Sequence, residues 1–261
     1  MITTRLILAS VLSIFFSALA VASTASEPYP THQTSYEAIE ADIAQARETA
    51  IKDETLLLLA LGGNWCHDSV GFVEKTQDTK VAALFDDRYT VQLVNVGYLE
   101  FIREIVQHYN VPVIYGTPTV LVIEPNSNSV LNRDTLSYWR SADARSIDDT
   151  LEYFGAFAPG QMPETEQVGV ALSAAYKRID AFEQEQAERL YEAYSDLGRQ
   201  MAATGDNKPS DDFIEKWTNV GAMRSSITTD LANLRASARE QDEQGVAPIE
   251  LSFPSYTLYT D

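Results

Sequence analysis

The sequence has a single cysteine, Cys66, among its 261 residues. One thiol excludes a disulfide within the chain, so the folded state has to be held by an apolar core, for which a hydrophobic content of 45% is sufficient. Basic residues are also few, because 19 Lys and Arg stand against 38 Asp and Glu and leave a formal net charge of −19. A charge of this sign repels phosphate backbones and anionic membranes, which argues against nucleic acid as a partner.

Charge is nearly absent from the first 26 residues, in which Arg5 precedes an apolar run over residues 6–22. Small residues typical of a signal-peptidase site follow at Ala18, Ala20, Ala22 and Ser23. We therefore predict a signal peptide over residues 1–23 and a periplasmic or secreted protein without stable membrane insertion after cleavage. The alternative is an uncleaved anchor, because the run is at the short end of a spanning helix. No cysteine lies near the cleavage region, which excludes a lipid anchor there.

Changes in composition divide the rest of the chain into four parts. Residues 24–34 are polar and proline-containing, which is typical of a linker. Residues 35–160 alternate helix and strand patterns, and residues 161–243 carry two long amphipathic patterns. The tail, residues 244–261, alternates apolar and polar positions near its end, so it is expected to add an edge strand or to lie in a groove.

The patterns over residues 35–160 predict the order helix, strand, helix, strand, helix, strand, strand, helix. A capping box formed by Thr34 and Glu37 is expected to start the first helix, which runs to about Lys52. Strands are predicted at 56–62, 89–99, 118–124 and 129–134. Helices are predicted after Cys66, at 100–109, and at 146–157 with Ser146 as the N-cap. This order predicts an α/β fold in which a mixed sheet carries helices on both faces.

Residues 161–243 are predicted to form an α-helical hairpin. The letters GDNKPS interrupt two apolar stripes, and Ser210 then caps the second helix, whose stripe begins at Phe213 and Trp217. Such stripes predict packing against the preceding domain or against a second copy of the chain, which would make a homo-oligomer. Binding of another protein is the functional alternative.

A short motif follows the predicted strand at 56–62, where Trp65 and Cys66 begin the letters WCHDS, and Gly116-Thr117-Pro118-Thr119 follows later. With this order of elements, residues 35–158 resemble the thioredoxin superfamily. The resemblance implies that Cys66 sits at a helix N-terminus and attacks disulfides as a thiolate. It also implies that Trp65 packs beside the motif, that Pro118 is a cis-proline, and that the backbone of Thr117 pairs with the substrate.

The sequence departs from this family at the residues that complete the reaction. The second motif cysteine is Ser69, and a hydroxyl cannot resolve a mixed disulfide, so the dithiol cycle is unavailable within the chain. The family's buried acid and its neighbouring lysine correspond to Ala60 and Leu93. The segment NVPVIYGTP, which ends at Pro118, is longer than the usual family version. Ser69 is left with a different role, which is to donate a hydrogen bond to the thiolate.

His67 and Asp68 follow the cysteine directly. A protonated His67 favours the thiolate and Asp68 opposes it; the alternative is that both are solvent-facing residues of the first helical turn, which we favour for Asp68. Neither a Cys-His-Asp hydrolase triad nor a zinc site is expected, because consecutive helical residues project about 100° apart and further cysteines are absent. No metal or cofactor is therefore predicted.

Three functions fit the sequence. The first is a monothiol thiol–disulfide oxidoreductase or isomerase-like protein, in which Cys66 forms mixed disulfides with protein or small-molecule substrates and an external thiol resolves them. The second is a thioredoxin-like module that binds peptides without turnover. The third is an interaction protein that works through the helical hairpin. Whether the protein is an enzyme stays open at this point.

Overall fold

The computed structural model describes residues 27–163, 167–205 and 207–261. The predicted signal peptide, residues 1–23, lies outside this part of the chain. One four-stranded sheet has the order β2-β1-β3-β4, in which β1 and β2 are parallel, while β3 is antiparallel to β1 and to β4. The strands are β1 (Leu56–Gly62), β2 (Tyr89–Asn95), β3 (Thr119–Glu124) and β4 (Ser129–Val130).

Helices cover both faces of the sheet, and two long ones follow it. They are α1 (Tyr36–Lys52), α2 (His67–Thr76), α3 (Thr79–Arg88), α4 (Ile102–His108), α5 (Ile147–Gly155), α6 (Val170–Thr204) and α7 (Asp211–Glu243), with 3₁₀ segments at Arg133–Thr135 and Tyr138–Ala144. The predicted fold class, a thioredoxin-like mixed sheet with a C-terminal helical hairpin, is confirmed. Every helix in the described ranges is too short or too polar to span a bilayer.

Two of the predicted helix starts are confirmed and one is wrong. Ser146 and Ser210 each accept a hydrogen bond from a backbone N–H of the first turn, of α5 and α7 respectively. Helix α1, however, is capped by Ser35, whose Oγ accepts from the N–H of Ala38 at 3.3 Å. The Thr34–Glu37 capping box does not form, because the extended residue immediately before the helix is Ser35. The predicted N-cap is thus one residue too early in the sequence.

Two predicted strands end early, and an asparagine side chain is the reason in each case. Strand β2 stops at Asn95, whose Oδ1 accepts from the N–H of Gly97 at 3.0 Å, and Gly97 has a positive φ that turns the chain. The strand predicted at 129–134 is reduced to Ser129–Val130. There the side-chain amide of Asn132 bonds the backbone of β3 at Val122 and Val120, in place of a longer backbone ladder.

Strand β1 is buried along its whole length, as its continuous apolar run predicts. Its odd-numbered leucines join one core, which includes α1, α4 and the apolar stripes of α6 and α7. Its even-numbered positions join a second core with α2, α3 and α5. The hairpin therefore packs against the sheet domain of its own chain.

The tail is fully described and contains no strand, so of the two expected arrangements it adopts packing in a groove. Phe253 packs on Phe182 of α6 with ring centroids 5.0 Å apart, and Leu258 is buried. The carboxylate of Asp261 accepts a hydrogen bond from Arg189 at 2.8 Å. These contacts fix the tail along the outer side of the hairpin.

Candidate functional site: a thiol in a cleft

Cys66 is the N-cap residue of α2, directly after the turn that leaves β1. Its backbone is extended and its side chain makes no capping bond to the first helical turn. The side chain is half-buried. Cys66 therefore lies at the helix N-terminus, as the resemblance to the thioredoxin superfamily implied.

The loop before β3 faces this thiol. The Thr117–Pro118 bond is cis, as predicted. The Sγ of Cys66 donates a hydrogen bond to the carbonyl oxygen of Thr117 at 3.2 Å. The carbonyl of the residue before the cis-proline is thus in direct reach of the sulfur, although the two residues are 51 positions apart in the sequence.

The predicted loss of charged groups behind the thiol is also visible in the sheet. Ala60 on β1 pairs in register with Leu93 on β2, so the positions that correspond to the family's acid and lysine are neighbours and both are apolar. No carboxylate or ammonium group is supplied by these two positions.

Behind the thiol lies a tyrosine that the sequence did not reveal. Tyr29 belongs to the predicted linker, yet it is fully buried in the same core as Ala60. The side chain of Asn64, which lies between β1 and Cys66, forms two hydrogen bonds with the backbone of Tyr29. Its Oδ1 accepts from the N–H of Tyr29 at 2.9 Å, and its Nδ2 donates to the carbonyl of Tyr29 at 3.1 Å. The described part of the predicted linker is therefore packed onto the sheet domain.

The hydroxyls of Tyr29 and Ser69 are both buried, and neither has a partner with hydrogen-bond geometry within the described residues. A Cβ atom at position 62 would lie 2.5 Å from each of these two oxygens, which is too close for a non-bonded contact. Gly62, which has no Cβ, therefore leaves the space that the two hydroxyls occupy. Burial raises the pKa of Tyr29 above its usual value, the Ser69 hydroxyl lowers it in part, and the charge of Cys66 raises it again. The phenol is protonated at neutral pH and is available as a donor.

The expectation that Asp68 faces solvent is wrong. Its side chain is only 16% exposed, and its Oδ1 accepts from the N–H of Asp143 at 3.0 Å, which ties α2 to the second 3₁₀ segment. His67 is exposed, with its Nε2 3.1 Å from Oδ2 of Asp68, so these adjacent side chains do meet, contrary to the argument from projection angles. The thiol bonds Thr117 instead of His67, and a Cys-His-Asp chain is not formed.

The hairpin supplies a second wall opposite the thiol. A cleft of about 690 Å³ runs between them, with Trp65, Cys66 and Thr117 on the sheet domain and Phe213 and Trp217 on α7. We call these the thiol wall and the hairpin wall, the latter also including Arg224 of α7. The walls meet at the tryptophans, whose rings are edge to face at 6.4 Å.

Aromatic contacts hold both tryptophans in place. The Nε1 of Trp65 donates to the carbonyl of Gly97 at 2.7 Å, and its ring stacks on Tyr98. Trp217 stacks on Phe213 with ring centroids 5.8 Å apart. The ring of Trp65 therefore packs on Tyr98 and Trp217, and the partnership with Trp217 was not foreseen.

The hairpin docks on the long segment before the cis-proline. The hydroxyls of Tyr191 and Tyr194 donate to the carbonyls of Pro112 and Ile114 at 2.7 and 2.8 Å. Gly198 of α6 lies against the main-chain carbonyl of Tyr98, so close that any Cβ there would collide with it. The additional residues of this segment are therefore the docking site of the hairpin.

Two arginines line the cleft from different elements, Arg140 from the second 3₁₀ segment and Arg224 from α7. The guanidinium of Arg224 lies over the rings of Trp217 and Tyr194, at 5.3 and 5.9 Å from their centroids. Arg140 donates to Ser225 on α7 at 3.4 Å. Sequence reasoning missed both, because helical periodicity marks apolar positions and does not show which polar residue borders a distant thiol.

Metal-ligand clusters are absent from the described ranges, since three or more His, Cys, Asp or Glu side chains do not converge anywhere in them. The sheet order, the helix that begins after Cys66 and the cis-proline loop beside it together define a thioredoxin-like fold.

Neither a family model nor a curated protein matches the chain. Among solved structures, it is similar to a disulphide isomerase from Xylella fastidiosa Temecula1, with 22% identity and a TM-score of 0.42. The similarity covers 50% of this chain and 96% of that one. The fold assignment rests on the topology and the site geometry described above, and not on this similarity.

Proposed function

We propose that the protein is an exported monothiol thiol–disulfide exchange protein that acts through Cys66. The observation that carries the proposal is the position of the sulfur, which lies at a helix N-terminus, 3.2 Å from the carbonyl before a cis-proline, and opens into a cleft of about 690 Å³. A helix N-terminus favours the thiolate, which is the nucleophile in disulfide exchange.

The exchange proceeds in two steps. The Cys66 thiolate attacks one sulfur of a substrate disulfide, so a bond forms between the two sulfurs, the substrate S–S bond breaks, and the second substrate sulfur leaves as a thiolate that takes up a proton. A second thiol, from a small molecule or from the substrate itself, then attacks the mixed disulfide and releases Cys66. The number of disulfides is unchanged, and no other oxidant is required.

Ser69 has a supporting role in this proposal. Its buried hydroxyl has no partner within the described residues and is one helical turn after Cys66, so it is free to donate a hydrogen bond to the thiolate. Tyr29 lies behind it with a protonated phenol. We assign Tyr29 as a positioning residue that orients the Ser69 hydroxyl, in a core where Ala60 and Leu93 supply no charge.

The test is the reaction of Cys66 with a small disulfide at neutral pH, followed by intact mass. We expect a rate at least about tenfold above that of a cysteine in an unstructured peptide, because the helix N-terminus stabilises the thiolate. The adduct should persist until a thiol is added, since Ser69 cannot resolve it, and Cys66→Ser should form none. A rate equal to that of the peptide thiol would reject the exchange function.

A peptide-binding module is the second candidate, and the hairpin wall favours it. Phe213 and Trp217 line the cleft but carry no reactive group, which is what binding without turnover requires. Peptide binding of equal strength by the wild type and by Cys66→Ser, together with a slow thiol, would select this alternative over exchange.

Export is the second part of the proposal. It is supported by the apolar run that follows Arg5 and ends in small residues. N-terminal sequencing or intact mass of the protein from cells should show cleavage between Ala20 and Ser26. Recovery of the full-length chain in the membrane fraction would indicate an uncleaved membrane anchor instead of a cleaved signal peptide.

A further inference from the structure

The charge of the cleft is opposite to that of the protein. The chain has a formal net charge of −19, yet Arg140 and Arg224 line the cleft together with Cys66. Within the described ranges, neither guanidinium has a carboxylate or a main-chain carbonyl as an acceptor: Arg224 lies over two aromatic rings, and Arg140 donates to the Ser225 hydroxyl. Two positive charges are therefore left without an anion in an acidic protein.

Both guanidinium groups border the same part of the cleft. Arg140 donates to the hydroxyl of Ser225, the residue that follows Arg224 on α7, and all three residues line the cleft. The carboxylate that lines the cleft, that of Asp68, has its Oδ2 3.1 Å from Nε2 of His67, and its Oδ1 accepts from the backbone N–H of Asp143 at 3.0 Å. Within the described ranges it forms no salt bridge with Arg140 or Arg224.

Resting on the proposed exchange function, we propose that the cleft selects extended peptide segments in which a carboxylate side chain lies next to the reacting cysteine. Guanidinium groups bind carboxylates with paired, charge-assisted hydrogen bonds, and low solvent access strengthens them. The Trp65–Trp217 pair offers an apolar surface to the neighbouring residues. The cleft volume of about 690 Å³ is that of a small-ligand site and holds a short segment rather than a folded surface.

The experiment compares two small disulfides, the anionic dithiodipropionate and the cationic cystamine, as substrates of Cys66. The net charge alone would favour the cation, whereas the cleft predicts about a tenfold faster reaction with the anion. The double variant Arg140→Gln with Arg224→Gln should reverse the preference. Arg199→Gln is the matched control, since it removes one charge at an exposed ion pair on α6, away from the cleft.

Raising the salt concentration provides a second readout on the unmodified protein, because it should slow the anionic probe and spare the cationic one. Two peptide disulfides that differ only in having Asp or Lys beside the cysteine then show whether the carboxylate comes from a peptide or from a small molecule. A faster reaction with the Asp peptide supports a peptide substrate. A preference for dithiodipropionate with no peptide preference would overturn the peptide assignment in favour of a small acidic disulfide as the substrate.

Failure of this inference is distinguishable from failure of the exchange function. Equal rates with both probes, or a faster reaction with cystamine, would overturn the charge selection while leaving exchange intact. If Cys66 reacts with neither probe, exchange itself fails, and selection is measured as binding of Asp-containing and Lys-containing peptides to Cys66→Ser. Equal affinities in that measurement overturn the selection as well.

Discussion

The two walls of the cleft differ in what they contribute. The thiol wall carries the Cys66 thiol, the Thr117 carbonyl and Trp65, and it is built from the sheet domain. The hairpin wall carries Phe213, Trp217 and Arg224, which have aromatic surface and charge but no group that attacks a disulfide. Under the proposed function the chemistry belongs to the thiol wall, whereas the proposed charge selection uses Arg224 of the hairpin wall together with Arg140 of the second 3₁₀ segment.

The walls also differ in how they are held. The thiol wall is fixed by the sheet ladder and by the two bonds between Asn64 and Tyr29. The hairpin is held by the apolar core that it shares with the sheet, by the bond from the Tyr194 hydroxyl to the Ile114 carbonyl and by the close approach of Gly198 to the Tyr98 carbonyl. The hairpin wall is therefore fixed by packing and side-chain bonds instead of a backbone ladder.

The largest effect is expected on the thiol wall, where Ser69→Cys supplies the missing second thiol. The variant should gain dithiol reductase activity, because a neighbouring thiolate can resolve the mixed disulfide. The gain should be partial, since Ala60 and Leu93 still provide no proton-handling group. Turnover of a disulfide substrate in the presence of a reductant measures it.

Ser69→Ala is the control for this variant and should show no gain. Its mixed disulfide should persist as in the wild type. A Ser69→Cys protein that forms the same lasting adduct as the wild type would contradict the view that the absent thiol alone blocks turnover.

The next effect tests the hairpin wall. Gly198→Ala places a Cβ against the Tyr98 carbonyl, and because this neighbour is main chain it cannot move aside cheaply. We expect a loss of about 2 kcal/mol in the free energy of unfolding, as for overpacking, and a more accessible Cys66. Chemical denaturation and the rate of alkylation measure the two effects.

Gly221→Ala in α7 is the matched control. A Cβ there meets only the end of the Arg224 side chain at 3.8 Å, an ordinary contact, so the better helix former should keep or raise stability. Equal destabilisation by both substitutions would show that the contact with Tyr98 does not position the hairpin.

The smallest effect is expected behind the thiol wall. Tyr29→Phe removes the phenol hydroxyl to which we assign the orientation of Ser69, so the reaction of Cys66 should slow about threefold at neutral pH and be unchanged at alkaline pH, where any thiol is ionised. The pH–rate profile with a small disulfide measures this. Other titratable or charged groups around the cleft are unchanged, namely His67, Asp68, Tyr98, Tyr115, Arg140 and Arg224.

Tyr89→Phe is its control, because Tyr89 is a buried tyrosine whose hydroxyl donates to the Phe154 carbonyl at the opposite end of the sheet. It should cost stability without changing the profile. Identical profiles for Tyr29→Phe and the wild type would limit Tyr29 to a packing role.

Much of the thiol wall could be predicted from local pattern. The strand bounds of β1, the cysteine at the start of α2 and the cis-proline loop follow from short runs of letters whose order matches a known fold. The pairing of Ala60 with Leu93 was also correct, since parallel register is set by the strands themselves. The position of Asp68 was not, because its partner Asp143 comes from a segment without a clear pattern.

The sequence by itself identified the candidate thiol, the cis-proline loop and the apolar faces of the helices. Only the tertiary structure decided that the hairpin folds back over Cys66, that Tyr29 enters the core behind Ser69, and that Arg224 borders the cleft. The physical reason is that periodicity identifies an apolar face without specifying what it packs against. The surface against which the hairpin packs is specified by contacts between residues far apart in the chain. These include the hydrogen bonds from the hydroxyls of Tyr191 and Tyr194 and the close approach of Gly198 to the Tyr98 carbonyl.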